Sequence, residues 1–195
     1  MKIAMMGSGG IGGYFGARMA KAGINVTFIA RGPHLEAIQK TGIKIESTDL
    51  GSITIHPAHA TNNPANVGPV DYIIIGVKLW DTEDAGRAIV PMLKPNTKVL
   101  SLQNGVDGDD ILAPIVGRER MISGVAFIAS SISKPGTVKH IGTMQRVIMG
   151  ELEGPSSKPV EKLFAAMIAG GIDAEISDDI ERTIWEKFVF LVGMS

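Results

Sequence analysis

The chain has 195 residues, of which 45% are hydrophobic and 20% charged, a balance that is typical of a globular protein and excludes extensive disorder. The formal net charge of −1 gives no reason to expect nucleic acid or an anionic membrane surface as a partner. There is no cysteine, which excludes disulfides, thiolate metal sites and cysteine nucleophiles.

Apolar runs alternate with helical patterns over about the first 118 residues. The runs predict strands at 2–6, 24–30, 70–78 and 97–105, with helical segments between them. After the second strand and a short helix, alternating segments at 43–47 and 52–58 predict a hairpin that turns near Gly51. Strands that alternate with helices form βαβ units, so we expect an α/β fold with a doubly wound, mostly parallel sheet.

The rest of the chain has a different pattern. Three strands joined by tight turns are predicted at 121–133, 136–142 and 145–152, followed by a helix at 158–171 and a strand at 172–177. A last helix is predicted from Asp178, with Ser177 or Asp178 as its N-cap. Residue 178 is therefore the candidate boundary between two structural units.

The segment GSGGIG at residues 7–12 lies between the first strand and the first helix. In the G-x-G-x-x-G pattern the first glycine permits a tight turn, the second lets the backbone approach a pyrophosphate, and the third allows close helix–strand packing. The helix that follows offers N–H groups and its positive dipole end to phosphates. The sequence therefore predicts a Rossmann-type dinucleotide site formed by Gly7, Ser8, Gly9, Gly10, Ile11 and Gly12. A glycine-rich turn without a ligand is the alternative.

The end of the second strand indicates which dinucleotide is bound. Sites for NAD carry an acid about 20 residues beyond the glycine motif, where it binds the ribose 2′-hydroxyl. This chain has Ala30 and Arg31 there and no acid. An acid would repel a 2′-phosphate, whereas a guanidinium can bind it through paired hydrogen bonds. Arg31 therefore predicts NADPH, with a solvated surface arginine as the alternative.

Lys78 and Asn104 occupy matching places after the strands at 70–78 and 97–105. Ligands of open α/β sheets lie beyond the carboxyl ends of the strands, where these side chains could reach a cofactor or a substrate oxygen. From the residues alone two alternatives stay open. Lys78 could be a solvated lysine before the next helix, and Asn104-Gly105 could be a simple turn.

The last helix carries an apolar stripe with a lysine at its edge. The stripe consists of Ile180, Ile184, Phe188 and Leu191, extended by Trp185 and Val192, with Phe190 and Met194 continuing the apolar surface. A helix this apolar is normally buried, so we expect a missing helical domain or a second copy of the chain to cover it. Lys187 at the stripe's edge loses hydration, which lowers its pKa and suits proton transfer. The alternative is a lysine whose ammonium extends to water.

These segments together resemble the ketopantoate reductase (2-dehydropantoate 2-reductase) family along essentially the whole chain. The resemblance depends on the order and spacing of KIAMMGSGGIGGYFG, ARG, GVKLWDT, LQNGV, GTVKHIG and IWEKFVF. It implies reduction of the 2-keto acid ketopantoate to (R)-pantoate with NADPH, a step toward pantothenate. By position it implies pyrophosphate binding by the glycine motif, 2′-phosphate binding by Arg31, a place for Lys78 along the cofactor, contact of Asn104 with cofactor and substrate, and Lys187 as the catalytic lysine.

The chain also departs from the family pattern. Family members have roughly a hundred further residues in an all-helical domain that carries a glutamate for the substrate, and Leu191 stands where an asparagine is often found. We therefore expect an NADP-binding domain at 1–177 and the first helix of an incomplete helical substrate domain at 178–195. By itself the chain is expected to bind NADPH in preference to NADH and to turn over ketopantoate poorly or not at all.

Other functions stay open on the sequence. They are a non-catalytic NADP(H)-binding module, a reductase of a different 2-oxo acid and, matched less well, a 3-hydroxy acid dehydrogenase. The histidines show no metal-ligand spacing, so no metal site is predicted. We recognise neither a signal peptide nor 18 consecutive apolar residues, and so expect a cytoplasmic protein without a membrane partner.

Overall fold

A mostly parallel sheet forms the centre of the fold. The computed structural model describes residues 1–152, 154 and 156–193, and these form ten strands. They are β1 (Lys2–Met6), β2 (Asn25–Ile29), β3 (Ile43–Ser47), β4 (Ile53–Ile55), β5 (His59–Thr61), β6 (Tyr72–Ile75), β7 (Lys98–Ser101), β8 (Met121–Lys134), β9 (Thr137–Gly150) and β10 (Asp173–Ile176). Only the β3–β4 and β8–β9 pairs among these strands are antiparallel, so the predicted mostly parallel sheet is confirmed.

The strand order is that of a dinucleotide-binding sheet. Six strands lie side by side in the order β5-β2-β1-β6-β7-β8, which is the Rossmann arrangement. Strand β9 runs antiparallel to β8, and its two halves pair with β3 and β10. The predicted hairpin exists as β3–β4, but it lies beyond β9 at the far side of the sheet from β2.

Helices cover both faces of the sheet. Their bounds are α1 (Gly10–Lys21), α2 (Gly32–Thr41), α3 (Thr82–Ile89), α4 (Gly108–Val116), α5 (Lys158–Ala169) and α6 (Ile180–Val192). Alternate residues of β1 belong to two separate cores, with Ile3 and Met5 in one and Ala4 in the other. The fold is therefore doubly wound, as predicted. In the described part of the chain no helix is long and apolar enough to span a membrane.

Helix α1 is enclosed by the sheet rather than resting on one side of it. It contacts β1 and β2, and also β3, β4, β8 and β9, so the sheet must curl around it. Glycines allow this approach: a Cβ at Gly13 would lie 2.9 Å from the Val138 side chain, and one at Gly16 would lie 2.7 Å from Phe28. Glycines in α1 are thus required for packing of the helix against the sheet as well as for the dinucleotide-binding motif.

Strand β9 corrects the prediction of two separate strands at 136–142 and 145–152. Both segments belong to one strand that pairs with β8 along its length. The expected turn at Gly142 is a bulge, across which the residues that pair with β8 change from His140 to Gln145. Because the chain rejoins the same partner in the same direction, Gly142 interrupts the ladder without reversing the chain.

Helix α6 begins later than predicted. Its first residue is Ile180, and its N-cap is Asp179, whose carboxylate accepts a hydrogen bond from the Arg182 N–H at 3.1 Å. The prediction of Ser177 or Asp178 as the cap is therefore wrong. The Ser177 hydroxyl instead accepts from the Asp179 N–H at 3.1 Å and holds the residue that caps the helix.

The apolar surface of α6 is divided between a packed side and an open side. The helix packs against β8 and β9, with Ile180 buried and Ile184, Phe188 and Leu191 partly buried. Four apolar side chains are exposed: Trp185 (49%), Val189 (66%), Phe190 (56%) and Val192 (56%). The predicted stripe thus faces the sheet, while Trp185 and Val192 do not extend it inward. Met194 lies outside the described residues.

His140 of β9 contacts two other elements of the curled region, β3 through Ser47 and α1 through the Tyr14 ring. It is fully buried, its Nδ1 lies 2.9 Å from the Ser47 hydroxyl, and its Nε2 donates to the Met144 carbonyl at 2.9 Å.

Replacing His140 with alanine leaves a cavity in the core and removes both hydrogen bonds, so we expect a loss of about 3 kcal/mol in unfolding free energy. Urea unfolding followed by circular dichroism measures this. The matched control is the exposed His59, whose replacement by alanine should change stability by less than about 0.5 kcal/mol. Equal losses in both variants would contradict the assigned role of His140.

Candidate functional site

The glycine turn between β1 and α1 has the geometry that the motif requires. Gly7 adopts a φ of +91°, which favours glycine, and its N–H donates to the Ile29 carbonyl at 3.2 Å. A Cβ at Gly12 would lie 2.1 Å from the Gly7 carbonyl oxygen, whereas one at Gly9 would have nothing within 4 Å. Gly7 and Gly12 are thus required by the protein's own packing, while Gly9 leaves an open approach to the backbone.

The polar groups of Ser8 hold the turn in place. Its N–H and hydroxyl donate to the Ile29 carbonyl at 3.0 and 3.1 Å. Its carbonyl accepts from His34 Nε2 at 2.9 Å, and His34 Nδ1 accepts from the Gly136 N–H at 3.1 Å. Sequence reasoning missed this role of His34. Ser8 therefore shapes the turn, and any contact of Ser8 with a cofactor stays a prediction.

The start of α1 lies directly against the backbone of Ser130 in β8. A Cβ at Gly10 would be 2.4 Å from the Ser130 carbonyl oxygen, so β8 passes directly against the helix. The Ser130 hydroxyl is buried and has no hydrogen-bond partner among the described residues. The open backbone at Gly9 and the N–H groups of the α1 N-terminus fit a phosphate-containing ligand.

Arg31 lies at the end of β2, next to the glycine turn, as predicted. Its guanidinium is 86% exposed and forms an ion pair with Asp81, with 3.2 Å between Nη2 and Oδ2. Asp81 lies between β6 and α3 and was not singled out in the sequence. The guanidinium is therefore accessible to a ligand, but it already has a carboxylate partner.

Lys78 and Asn104 follow neighbouring parallel strands at equal distances. Ile75 of β6 pairs with Ser101 of β7, and each of the two side chains lies three residues further on. Both are exposed at the carboxyl edge of the sheet. The structure therefore places them at the same edge as the glycine turn, and their contacts with a cofactor stay predictions.

Gln103 connects the loops at this edge of the sheet through hydrogen bonds. Sequence reasoning missed it. It is buried, and its amide donates to the Val77 carbonyl at 3.1 Å and to the Thr82 hydroxyl at 2.7 Å. These bonds connect the segment after β7 to the segment after β6 and to the start of α3. The polar run in SLQNG contained the signal, since only a polar residue next to a buried strand can join two loops in this way.

Lys187 reaches the same edge from α6. It is only 7% exposed, and its ammonium donates to the Asn104 side-chain oxygen and to the Ala126 carbonyl, both at 2.8 Å. The Phe127 ring lies 5.4 Å from the ammonium. The side chain therefore points into the protein instead of extending to water, and Asn104 is more than a turn residue.

Burial determines the protonation of Lys187. The loss of hydration lowers the pKa of its ammonium from 10.5 to about 8. Both acceptors are neutral oxygens, and no carboxylate of the described residues lies within 4 Å of this nitrogen. An ammonium has three N–H donors, so two hold Lys187 in place and the third can serve a ligand oxygen. The group can therefore donate a hydrogen bond and a proton near neutral pH.

A second buried polar group lies nearby but serves the fold. Asp109, in the first turn of α4, accepts a hydrogen bond from the Ser123 hydroxyl of β8. Burial raises the pKa of this carboxyl. Asp107, Asp109 and Asp110 thus lie at the start of α4, and the Asp109 side chain is turned inward. Across the described ranges no group of three or more His, Asp or Glu side chains could hold a metal ion.

Comparison with known proteins identifies the relatives of this chain. The family model for "Ketopantoate reductase PanE/ApbA" matches residues 3–154. The chain is 31% identical over 208 residues to the 2-dehydropantoate 2-reductase of Mesorhizobium japonicum, an alignment that covers 96% of this chain and 63% of that protein. The chain thus spans less than two thirds of the length of this curated relative.

Solved structures show the same similarity. The 2-dehydropantoate 2-reductase of Porphyromonas gingivalis matches with a TM-score of 0.91 and 33% identity, over 96% of this chain and 68% of that one. A D-mandelate dehydrogenase with NADH and anilino(oxo)acetate matches with a TM-score of 0.86 and 27% identity, over 96% and 60%. The fold is therefore shared by an enzyme named for a 2-oxo acid, 2-dehydropantoate, and one named for a different 2-hydroxy acid, D-mandelate.

Substitutions at two glycines of the turn should distinguish a glycine that is needed for packing from one that leaves space for a ligand. We expect Gly12→Ala to lower the unfolding free energy by about 1–3 kcal/mol, because its methyl group would overlap the Gly7 carbonyl. Gly9→Ala should leave stability unchanged within about 0.5 kcal/mol, since that methyl group meets open space. Urea unfolding of both variants measures the difference. Equal stability of the two would contradict this division of roles.

The buried amine of Lys187 should titrate near pH 8. We expect half-maximal labelling by a small acylating reagent at about pH 8 in the folded chain and near 10.5 in urea, read by mass spectrometry of the Lys187 peptide. Because the folded state loses this proton first, the group's contribution to stability should increase as pH rises from about 8 to 10.5. The same labelling midpoint with and without urea would show that Lys187 is not desolvated.

Proposed function

The chain belongs to the ketopantoate reductase family, and on that premise we propose that it reduces the keto group of a 2-keto acid with NADPH. The substrate proposed first is 2-dehydropantoate, which would give (R)-pantoate. The observation that carries this proposal is the buried Lys187 ammonium, 2.8 Å from the Asn104 side chain at the carboxyl edge of the sheet. Burying a lysine without an opposite charge is costly, and a reacting carbonyl oxygen would account for it.

Features of the glycine turn and its neighbours support NADPH as the cofactor. The open backbone at Gly9 suits a pyrophosphate at the N-terminus of α1. The exposed Arg31 guanidinium suits a 2′-phosphate, and Lys78 at the same edge would lie along the cofactor. Bound NADPH would supply the hydride that reduces C2 of the substrate.

Lys187 would supply the proton of the reaction. Its free N–H would donate to the C2 carbonyl oxygen, stabilise negative charge as it develops there, and transfer a proton to give the hydroxyl. The pKa of about 8 keeps most of the lysine protonated at neutral pH while making the proton easy to release. Asn104 would hold the ammonium at 2.8 Å and orient it toward the substrate. Water would then restore the proton.

The open side of α6 supports the proposed domain division. We propose that residues 1–177 form the cofactor domain and that α6 begins a helical substrate domain, whose packing would cover Trp185, Val189 and Phe190. These side chains are 49–66% exposed, an unusual state for large apolar groups on one helix. A carboxylate for the substrate would come from such a domain. A second copy of the chain is the alternative cover.

Two other functions have specific support. Similarity to D-mandelate dehydrogenase at a TM-score of 0.86 favours a different 2-oxo acid as the substrate, and Leu191 on the partly buried side of α6 would make the site more apolar. A non-catalytic NADP(H)-binding module is favoured by the exposed face of α6, because an open substrate site would not exclude water.

NADPH oxidation followed at 340 nm tests the proposal. The chain is mixed at high concentration with NADPH and either 2-dehydropantoate or benzoylformate, and nucleotide binding is measured separately by fluorescence. We expect tight NADPH binding, slow oxidation with one of the acids, and a decrease of about 10²- to 10⁴-fold in Lys187→Ala with little change in NADPH affinity. The matched control is Lys162→Ala, which removes an exposed lysine of α5.

The outcomes separate the proposed functions. Oxidation with benzoylformate alone would favour the different 2-oxo acid, and NADPH binding without oxidation of either acid would favour the binding module. Failure to bind NADPH would contradict all three. Equal activity of Lys187→Ala and Lys162→Ala would remove Lys187 from the chemistry.

A further inference from the structure

The Arg31–Asp81 ion pair spans the carboxyl edge of the sheet above the glycine turn. Arg31 follows β2 and Asp81 lies after β6, and these are the two strands that flank β1. The turn that begins at Gly7 therefore leaves the sheet between them. With 3.2 Å between guanidinium and carboxylate, the charged groups meet where the ribose of a dinucleotide at this turn would lie.

Asp81 is placed to cap a helix but does not do so. It immediately precedes α3, where an aspartate carboxylate normally accepts hydrogen bonds from the first N–H groups, yet its side chain makes no such bond within the described structure. The carboxylate is turned toward Arg31 instead. Since an exposed ion pair adds little stability and a cap usually adds more, helix stability does not explain this orientation.

We propose that Asp81 sets the cofactor preference of the site by competing with the 2′-phosphate for Arg31 and by accepting a hydrogen bond from a free 2′-hydroxyl. This inference depends on the proposed function, which places the 2′-phosphate at Arg31. The sequence lacks an acid at the end of β2, where Ala30 and Arg31 stand. The structure supplies the Asp81 carboxylate to Arg31 from the segment after β6, the strand on the other side of β1.

The charges of Arg31, Asp81 and the 2′-phosphate determine which cofactor each residue favours. A phosphate monoester carries about −1.5 to −2 at neutral pH, so Asp81 repels it while Arg31 attracts it. A 2′-hydroxyl has no charge and can donate to the carboxylate, as ribose does at the acid of NAD sites. Arg31 therefore favours NADPH, Asp81 favours NADH, and the wild-type preference for NADPH is smaller than Arg31 alone would give.

Binding of nucleotide fragments to the full chain tests this proposal. Adenosine 2′,5′-bisphosphate and ADP are titrated calorimetrically into wild type, Asp81→Asn and Arg31→Gln, and NADPH and NADH are titrated in parallel. In Asp81→Asn we expect the affinity for the 2′-phosphate compound, relative to ADP, to increase about tenfold at low salt, and the increase to shrink at high salt. Arg31→Gln should lower the same ratio.

The matched control is Asp84→Asn. Asp84 is exposed in the first turn of α3, so its replacement removes one nearby negative charge without touching the ion pair. An unchanged ratio in Asp81→Asn, an equal increase in Asp84→Asn, or a lower ratio in Asp81→Asn would each overturn the proposal. Thermal unfolding shows that each variant is folded. Loss of nucleotide binding in the wild type itself would instead overturn the proposed function on which this inference depends.

Discussion

The contact between the start of helix α1 and the backbone around it constrains the whole carboxyl edge of the sheet. A Cβ at Gly12 would lie 2.1 Å from the Gly7 carbonyl, and one at Gly10 would lie 2.4 Å from the Ser130 carbonyl. Only hydrogen fits at these positions. The helix can therefore begin within the curve of the sheet, and its N-terminus opens between the ends of β2 and β6.

The other site residues depend on that placement. The edge that holds the glycine turn also holds Arg31 after β2 and, after β6 and β7, Lys78 and Asn104. Helix α6 then approaches over β8 and β9 and delivers Lys187 to Asn104 and to the Ala126 carbonyl. Two distant parts of the chain thus meet at a single buried amine. Its depressed pKa results directly from that burial.

Local patterns predicted most of the fold but not the contacts between distant segments. The glycine motif, the apolar strands and the stripe of α6 are local sequence patterns, and the structure has each of them at the expected position, except that Trp185 and Val192 of the stripe are exposed. Gly142 misled the prediction because a glycine that permits a turn also permits a bulge, and only pairing with β8 distinguishes the two. The cap moved to Asp179 because three adjacent residues, Ser177 to Asp179, can all serve, and tertiary packing decides among them.

The same limit applies to the site. The sequence placed Lys187 at the edge of an apolar stripe and left open whether it extends to water, because its acceptors are 61 and 83 residues away. The partners of Asp81 and Gln103 lie in segments far from them in sequence, so the sequence did not show that either residue has a role. The available clue was a polar side chain close to the end of a buried strand. The chain has more side chains of this kind than it has residues with a role in the site, so the clue alone does not identify them.

A crystal structure of the chain with NADP⁺ would show whether the glycine turn and Lys187 belong to the same cofactor site. We predict the pyrophosphate at Gly9 and the start of α1, the 2′-phosphate at Arg31, and the nicotinamide directed toward Asn104 and Lys187. The opposite, amino-terminal edge of the sheet has a polar cavity of about 350 Å³ lined by Lys2, Asn25, Thr27 and His59. Nucleotide bound there, or with its nicotinamide away from Lys187, would contradict the account.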